Sequence, residues 1–596
     1  MSETDIGPED ADTAVVAPDP HAPAPWRTER GRTGGARDTA ASAGEPRGRG
    51  RPRPAGWLVI AVPMVTAFAV GGYEIGGPSL WRDEAYTKDA IARPFGQIFV
   101  LLGHQDAVHG AYYLLMHVVA AVFGTSATAL RFPSLCAMVI ATGFVAATGR
   151  RAAALALAPD LRPPDLGAPD LRAPDLRAPD LRSAGRRVPD AGRGRRLDIP
   201  ALTGLLSGLL FATAPYMTFY AQMARSYAIE TMFAAIATYL LLRAYPDGRW
   251  RWWWAYGAAV ALTGLFNIFG LLILAAHGVT LLLTDARGQS AKGRRAGRIP
   301  LRWLAASAAA VIVLSPLLGV ARSQQEQIAW LTRPNVNAIE RLLTALAGSR
   351  PLIVPFALLA LAGLVAACLA DNWRPLNPAA VALPWLAVPP VVLIAASFVK
   401  PVYYVRYVEF CLPALAILAG AGLVGLIRLA AVTPLGRLRL AWLPAALVIV
   451  GLAALLAGPQ QAIRQTAARP DNLRLASAIV AAHEQPGDVV FYIPADMQVL
   501  GTGYPAPFLR LRDLALASSP IASATLTGTE ITSPALLKSR FTDVRRVWVV
   551  TGASNYKFPT PSTPVDREKM ALLAGMHIIG RWQAGEVMLT LYGQGP

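Results

Sequence analysis

Two adjacent carboxylic acids, Asp83 and Glu84, lie in the part of the chain that is densest in ionisable side chains. This segment, 74–130, contains the stretches EIGGPSLWRDEAYTKDA and HQDAVHGAYYLLMH. Aromatic side chains beside a carboxylate suit a sugar ring. The aromatic and titratable neighbours in the sequence are Trp81, Tyr86, His104, Asp106, His109, Tyr112 and Tyr113. The alternative is an ordinary pair of solvated acids in a loop.

Basic side chains in two other turns are candidates for the same site. Arg225 lies in the turn QMARSY, and Lys400 and Arg406 lie in the turn KPVYYVRY. Arginine can bind a phosphate through a two-pronged contact, and it is costly at membrane depth unless it is paired. If these cations face the carboxylates, the site would suit an anionic lipid donor and a nucleophilic acceptor. Snorkelling of the same side chains to lipid headgroups is the alternative.

The composition identifies the chain as a multi-spanning membrane protein. Of its 596 residues, 54% are hydrophobic and only 16% are charged, whereas a soluble protein carries ~25% charged residues. The net charge of +18 comes from arginines in short runs between apolar stretches, which is typical of membrane-flanking loops rather than of nucleic-acid binding. The three cysteines all lie in apolar segments, so no disulfide framework is expected.

Eleven apolar segments are predicted to be transmembrane helices, since a span needs ~20 mostly apolar residues. The stretch 252–284 is too long for one upright helix and is divided near Asn267. The excess of Lys and Arg in alternate loops places the N-terminus in the cytoplasm. The short apolar run 110–124 is then predicted to lie along the outer interface. The remaining segments are 57–73, 131–149, 199–220, 227–245, 303–320, 352–370, 379–398, 407–428 and 441–458.

Three other regions flank or interrupt this membrane domain, 57–458. Residues 1–56 are predicted to form a disordered, basic cytoplasmic tail. Residues 150–198 are predicted to be a disordered cytoplasmic insertion, because their APDLR repeats place a proline at every fifth position. Residues 459–596 contain a helix-like stretch at 473–483 and several strand-like stretches. They are predicted to form a small extracytoplasmic α/β domain, to which no chemistry is assigned.

The motifs of the membrane domain resemble those of the GT-C glycosyltransferases. The most similar branch is the bacterial mannosyltransferase-like set related to protein O-mannosyltransferases and the lipid A aminoarabinose transferase. The resemblance covers about 57–458 and is carried by SLWRDEAYT, DAVHGAYYLLMH, TSATALRFPS, QMARSYAIE and PVYYVRYVEFCLP. The sequence departs from the family pattern after His109, where two prolines are missing, and at Met223, where the family has an acid.

The resemblance implies a fold and a function. The fold would be a polytopic α-helical GT-C membrane domain with the small α/β domain at its C-terminus. The chain would move a sugar, mannose-like, from a polyprenyl-phosphate donor to a hydroxyl group on the outer face of the cell membrane. The acceptor would be a protein, a glycolipid or a polysaccharide, and the anomeric configuration would be inverted.

The resemblance also implies roles for single residues. Asp83 would be the general base, with Glu84 beside it in the catalytic pair. The donor phosphate would be bound by Arg225, Lys400 and Arg406. Substrates would be bound by Asp106, His109, Tyr112, Tyr227 and Tyr404.

Some alternatives remain open. A divalent cation could bind among Asp83, Glu84 and Asp106, because hard cations favour oxygen ligands, but cationic side chains can do the same work and no cofactor is assigned. A lipid or lipid-linked-sugar transporter is a second possible function, and it would place ionisable residues near the middle of the spans. A catalytically degenerate GT-C scaffold whose outer domain binds partners is a third.

Overall fold

The computed structural model describes residues 56–157, 198–288, 298–369, 376–552 and 563–595. The predicted tail and the APDLR repeats lie outside these ranges. The helix that follows the first exterior segment continues to Leu157, so the described beginning of the predicted insertion is helical rather than disordered.

The membrane domain has a helix at each of the eleven segments predicted to span. These helices are α1 (Leu58–Gly72), α5 (Ala127–Leu157), α6 (Ile199–Thr213) with α7 (Pro215–Ala221), α8 (Tyr227–Asp247), α9 (Trp250–Phe266), α10 (Ile273–Gly288), α11 (Arg298–Ser323), α13 (Ile353–Leu369), α14 (Pro378–Val399), α15 (Leu412–Ala431) and α17 (Leu443–Ala462). The shorter α2 (Arg82–Ile91), α3 (Phe95–His104), α4 (Gly110–Phe123), α12 (Val336–Ala347) and α16 (Pro434–Arg437) lie between them.

Seven of the described helices are long and apolar enough to cross a membrane, or eight if α6 and α7 form one span bent by 61°. Ala214 is extended and Pro215 begins α7, which explains the bend. The number is lower than the eleven predicted because α1, α9 and α10 have only 15, 17 and 16 residues. The division near Asn267 is confirmed, since α9 ends at the residue before it and the Asn267 side chain caps a short 3-10 helix, Ile268–Leu272.

The buried helix α15 anchors the segment that carries Arg406. It packs against α13 so closely that a Cβ atom on Gly422 would come within 2.1 Å of the Leu359 carbonyl oxygen. Small residues at such crossings are typical of helices that pack in membranes. Directly before α15, the 3-10 helix Val405–Cys411 connects it to the turn after α14. The position of Arg406 is therefore set by the core of the membrane domain.

The C-terminal residues form the predicted small α/β domain. Its strands are β1 (Val489–Tyr492), β2 (Arg512–Asp513), β3 (Leu516–Ser518), β4 (Thr529–Glu530), β5 (Arg546–Gly552), β6 (His577–Ala584) and β7 (Val587–Gly593). Five of them form a sheet in the order β2-β1-β5-β7-β6, in which β1 is parallel to β2 and β5, and β7 is antiparallel to β5 and β6. The other two, β3 and β4, form a separate antiparallel pair. The helices are α18 (Leu473–His483), α19 (Val499–Thr502), α20 (Pro534–Arg540) and α21 (Pro564–Leu573).

Candidate active site

Helix α2 carries both acids of the predicted pair in its first turn. Trp81 is extended, with φ −127° and ψ 176°, and the helix begins at the next residue. Acidic side chains are favourable there because the N-terminus of a helix carries a partial positive charge. Adjacent helical residues do not share a face. The two carboxylates therefore point in different directions and have different partners.

Glu84 is enclosed in the membrane domain and forms a two-pronged ion pair with Arg131. Arg131 donates from Nε to Oε1 and from Nη2 to Oε2, each at 2.7 Å, and both side chains are 0% exposed. The backbone N–H of Ala224 also donates to Oε1, at 2.9 Å. The remaining Arg131 donors reach the backbone carbonyl oxygens of Ile75, Pro78 and Ser79. This environment does not support the predicted place of Glu84 in the catalytic pair, because its oxygens are already bonded and closed to substrate.

Asp83, unlike Glu84, keeps a small exposed fraction and contacts Arg406. The contact joins Asp83 Oδ2 to Arg406 Nη1, and the two side chains are 13% and 18% exposed. The Arg406 guanidinium also lies over the ring of Tyr404, 4.7 Å from its centroid. Tyr404 is 37% exposed, and Trp330 packs edge-on against it at 5.3 Å. The structure therefore brings together a predicted base, a predicted phosphate ligand and a predicted substrate-binding tyrosine.

Arg225 supplies a second cation at the same place. Its Nη2 donates to His109 Nε2 at 2.9 Å, and its Nη1 lies 3.4 Å from the backbone oxygen of Asp83 and from the Tyr113 hydroxyl. Burial, reinforced by the charge of Arg225, lowers the pKa of His109 to about 4. The imidazole is therefore neutral near pH 7, and it can accept from Arg225 while Nδ1–H donates to Ser226 Oγ, 3.4 Å away.

Asp106 is connected to the site through Tyr113. The Tyr113 hydroxyl donates to Asp106 Oδ2, and burial together with the charge of Asp106 raises the pKa of that phenol well above 10. Asp106 adopts a left-handed backbone conformation with φ 60°. Its backbone N–H and that of the next residue donate to the side chains of Gln327 and Gln324. Asp106 therefore lies near Arg225, as predicted, but its carboxylate is bound by the Tyr113 hydroxyl.

The remaining predicted site residues are Lys400, Tyr112 and Tyr227. The Lys400 ammonium contacts the Gln325 side chain and lines a separate cavity of about 200 Å³, which does not support its prediction as a ligand of the donor phosphate. Tyr112 is fully buried, which does not support its prediction as a direct substrate contact. Tyr227 begins α8, and its buried ring packs edge-on against Tyr220 at 5.8 Å.

The acids do not form the joint metal site that the sequence left open. Among the residues that the structure describes, no group of three His, Cys, Asp or Glu side chains is close enough to hold a metal ion. Glu84 is bound by Arg131, Asp83 by Arg406 and Asp106 by Tyr113. Each of the three carboxylates that could bind a metal ion is therefore already paired with another side chain.

Arg131 is the important residue that the sequence prediction did not assign. The available signal was a single arginine at the start of an otherwise apolar segment, 131–149. A charged side chain at that place is costly and predicts a partner. The spacing along the chain did not identify Glu84 as that partner.

Comparisons with known proteins agree with this architecture. The family model described as dolichyl-phosphate-mannose-protein mannosyltransferase matches residues 196–319, which include the turn of Arg225. No curated protein matches the sequence. The chain is similar to the crystal structure of ArnT from Cupriavidus metallidurans bound to undecaprenyl phosphate, with a TM-score of 0.51 and 14% identity over 91% of this chain and 100% of that one.

A second similar structure is the oligosaccharyltransferase of Archaeoglobus fulgidus, with a TM-score of 0.46 and 11% identity over 84% of this chain and 70% of that one. The likeness at these identities concerns the fold. The chain is a multi-pass membrane protein with the GT-C fold, which is the fold that the resemblance of its motifs implied. Within that class its fold resembles that of ArnT along the whole of the latter's length.

Proposed function

We propose that this chain is a membrane glycosyltransferase that moves a sugar, mannose-like, from a polyprenyl-phosphate donor to an acceptor hydroxyl on the outer face of the cell membrane. The observation that carries the proposal is the partly exposed contact between Asp83 and Arg406, with Arg225 beside it. A partly exposed carboxylate beside one guanidinium group, with a second at the backbone of the same residue, provides a base and an anion site in one place. The GT-C fold supports this assignment.

In the proposed reaction Asp83 is the general base. Its carboxylate takes the proton of the acceptor hydroxyl while that oxygen attacks the anomeric carbon. The bond between the anomeric carbon and the phosphate oxygen breaks, and its electron pair stays on the polyprenyl phosphate. A single displacement of this kind inverts the anomeric configuration. Proton transfer to a positioned base typically contributes ~10²–10⁴-fold in rate.

The cations stabilise the phosphate leaving group. Negative charge grows on the phosphate oxygen as the bond breaks, and preorganised donors stabilise such charge where water is excluded. Arg406 lies between Asp83 and the ring of Tyr404, so it is a candidate to face the phosphate beside the base. Arg225 is held by a neutral histidine and keeps its charge available for the donor.

Similarity to ArnT supports the class of donor, since that protein was crystallised with undecaprenyl phosphate. The acceptor is a hydroxyl group of a protein, a glycolipid or a polysaccharide. The excess of basic residues in the alternate loops supports a cytoplasmic N-terminus, and α2 and the C-terminal domain, which contact each other, then lie on the outer side.

The test compares two aspartates of the same helix. Asp83→Asn should lower transfer by ~10²–10⁴-fold, measured as polyprenyl phosphate released from labelled polyprenyl-phosphate sugars in membranes that contain the acceptor. Asp89→Asn is the matched control, because Asp89 also pairs with an arginine, Arg93, at 2.8 Å. Both variants should keep their melting temperature within a few degrees. Full activity in Asp83→Asn would exclude the proposed mechanism.

One observation keeps a transporter as the second candidate. Glu230 and Glu409 are neighbouring carboxyl groups buried within predicted spans, and Glu230 Oε2 accepts from Asn267 at 2.8 Å. Ionisable residues inside spans are often found on transport pathways. Translocation of a labelled lipid-linked sugar by the reconstituted protein without any glycosylated product, unchanged in Asp83→Asn, would favour this function over transfer.

A further inference from the structure

The N-terminus of α2 is capped by a residue from the C-terminal domain. Trp81, at the cap position, provides no side-chain hydrogen bond to the helix. Instead, the backbone N–H of Arg82 donates to Asp471 Oδ2 at 3.1 Å, and Arg82 Nη2 lies 3.4 Å from Asp471 Oδ1. A carboxylate there satisfies a helix N–H that has no partner within the helix, and it complements the helix dipole.

Asp471 is held firmly by the sheet of its own domain. Its side chain is 2% exposed. It forms a bridge with Gly585, at the turn between β6 and β7, where the backbone has φ +66°. A Cβ atom on Gly585 would lie 2.2 Å from the Pro470 carbonyl oxygen, so this close approach requires glycine. The capping residue therefore belongs to a segment that packs closely against the turn between β6 and β7.

The same domain holds the other end of α2. Lys88 Nζ donates to the backbone oxygen of Gly503 at 2.8 Å, and Arg93, two residues beyond the helix, donates to that of Pro520 at 3.2 Å. On the opposite side, the pair of Glu84 and Arg131 attaches the helix to the membrane domain. Asp83 follows the capped residue directly, so its direction depends on both attachments.

We infer that the C-terminal domain positions Asp83 for proton transfer and that Asp471 is the positioning residue. This inference rests on the proposed function and assigns the domain a task in it. Asp471 touches neither substrate nor the reacting atoms. Its carboxylate fixes the first turn of α2, and thereby the angle at which the Asp83 carboxylate meets Arg406 and the acceptor hydroxyl.

The experiment uses the full-length protein in lipid nanodiscs and two substitutions. Asp471→Ala removes the cap and should lower kcat roughly tenfold, since an N-cap contributes about that factor to the stability of a first turn, while KM for the donor stays unchanged. Asp471→Asn keeps an oxygen acceptor and should recover most of kcat. The control is Asp488→Asn, a buried aspartate of the same domain whose partner, Arg546, lies 3.0 Å away.

Hydrogen exchange provides a readout that does not depend on activity. Peptides that cover 79–91 should exchange faster in Asp471→Ala, and not in Asp471→Asn or Asp488→Asn. Unchanged exchange in Asp471→Ala would overturn the inference, as would a fall in kcat no larger than that of Asp488→Asn. A wild-type protein without transferase activity would refute the proposed function, while the exchange data would still decide whether Asp471 orders the first turn of α2.

Discussion

The carboxylate of Asp83 contacts the guanidinium of Arg406 although 323 residues separate them in the chain. The neighbouring acid, Glu84, is bound by Arg131 in a pair that is closed to solvent. Two adjacent carboxylates of one short helix therefore have different tasks. Glu84 attaches the helix to the membrane domain, and Asp83 is left partly exposed with a cation beside it.

Replacement of Arg406 and of Lys400 should distinguish two of the three cations that the sequence predicted for the donor phosphate. In Arg406→Gln we expect kcat to fall by ~10²–10³-fold, as for the loss of one preorganised donor at a developing negative charge. Lys400→Gln is the control and should stay within a few-fold of the wild type, because Lys400 contacts Gln325 at a separate cavity. Release of polyprenyl phosphate measures both. A larger loss in Lys400→Gln than in Arg406→Gln would contradict this assignment.

The pair of Glu84 and Arg131 should determine stability rather than chemistry. Arg131→Met leaves a carboxylate buried without its counter-ion, and breaking such a pair typically costs ~3–5 kcal/mol. We expect a strongly lowered melting temperature in detergent and low expression. In the double variant Glu84→Leu/Arg131→Met, much of the stability should return, since both charges are gone. A single Arg131→Met variant that melts with the wild type would show that the pair is dispensable.

The helices and the C-terminal domain were largely predictable because hydrophobic length and periodicity act locally. The helix predicted at 473–483 has those bounds in the structure, and α10 follows the break predicted at Asn267. The number of full-length spans was not predictable in the same way. A run of apolar residues shows that a segment is buried or lipid-facing, but a short helix and a bent pair both depend on the neighbours against which they pack.

The site was predictable in its residue types and only partly in its pairings. The prediction that Asp83 lies with Arg225 and Arg406 agrees with the contacts. The partner of Glu84 and the cap of α2 come from positions 131 and 471, and no local pattern connects these to the acids. Such pairings are set by the tertiary fold, which decides which of two adjacent carboxylates is enclosed.

The stability of the protein should depend on pH through His109. Its pKa falls from 6.5 to about 4 because the ring is buried beside Arg225, and the carboxylates of Asp106 and Asp83 oppose this only in part. Between these values the unfolded chain binds a proton that the folded protein does not, so stability is present above pH 6.5 and is lost as the pH falls towards 4. One pKa unit corresponds to ~1.4 kcal/mol. The lowering of the pKa of His109 from 6.5 to about 4 should therefore reduce the free energy of unfolding by roughly 3 kcal/mol at low pH.

Thermal melting of the wild type and of His109→Gln between pH 7 and pH 4 measures this contribution. The glutamine keeps an amide oxygen for the hydrogen bond from Arg225 and does not titrate. We expect the variant to lose less stability than the wild type over this interval, because the remaining acid sensitivity comes from carboxylates common to both. Two melting curves that fall in parallel would show that folding does not lower the pKa of His109, and the effect assigned to its burial beside Arg225 would then be wrong.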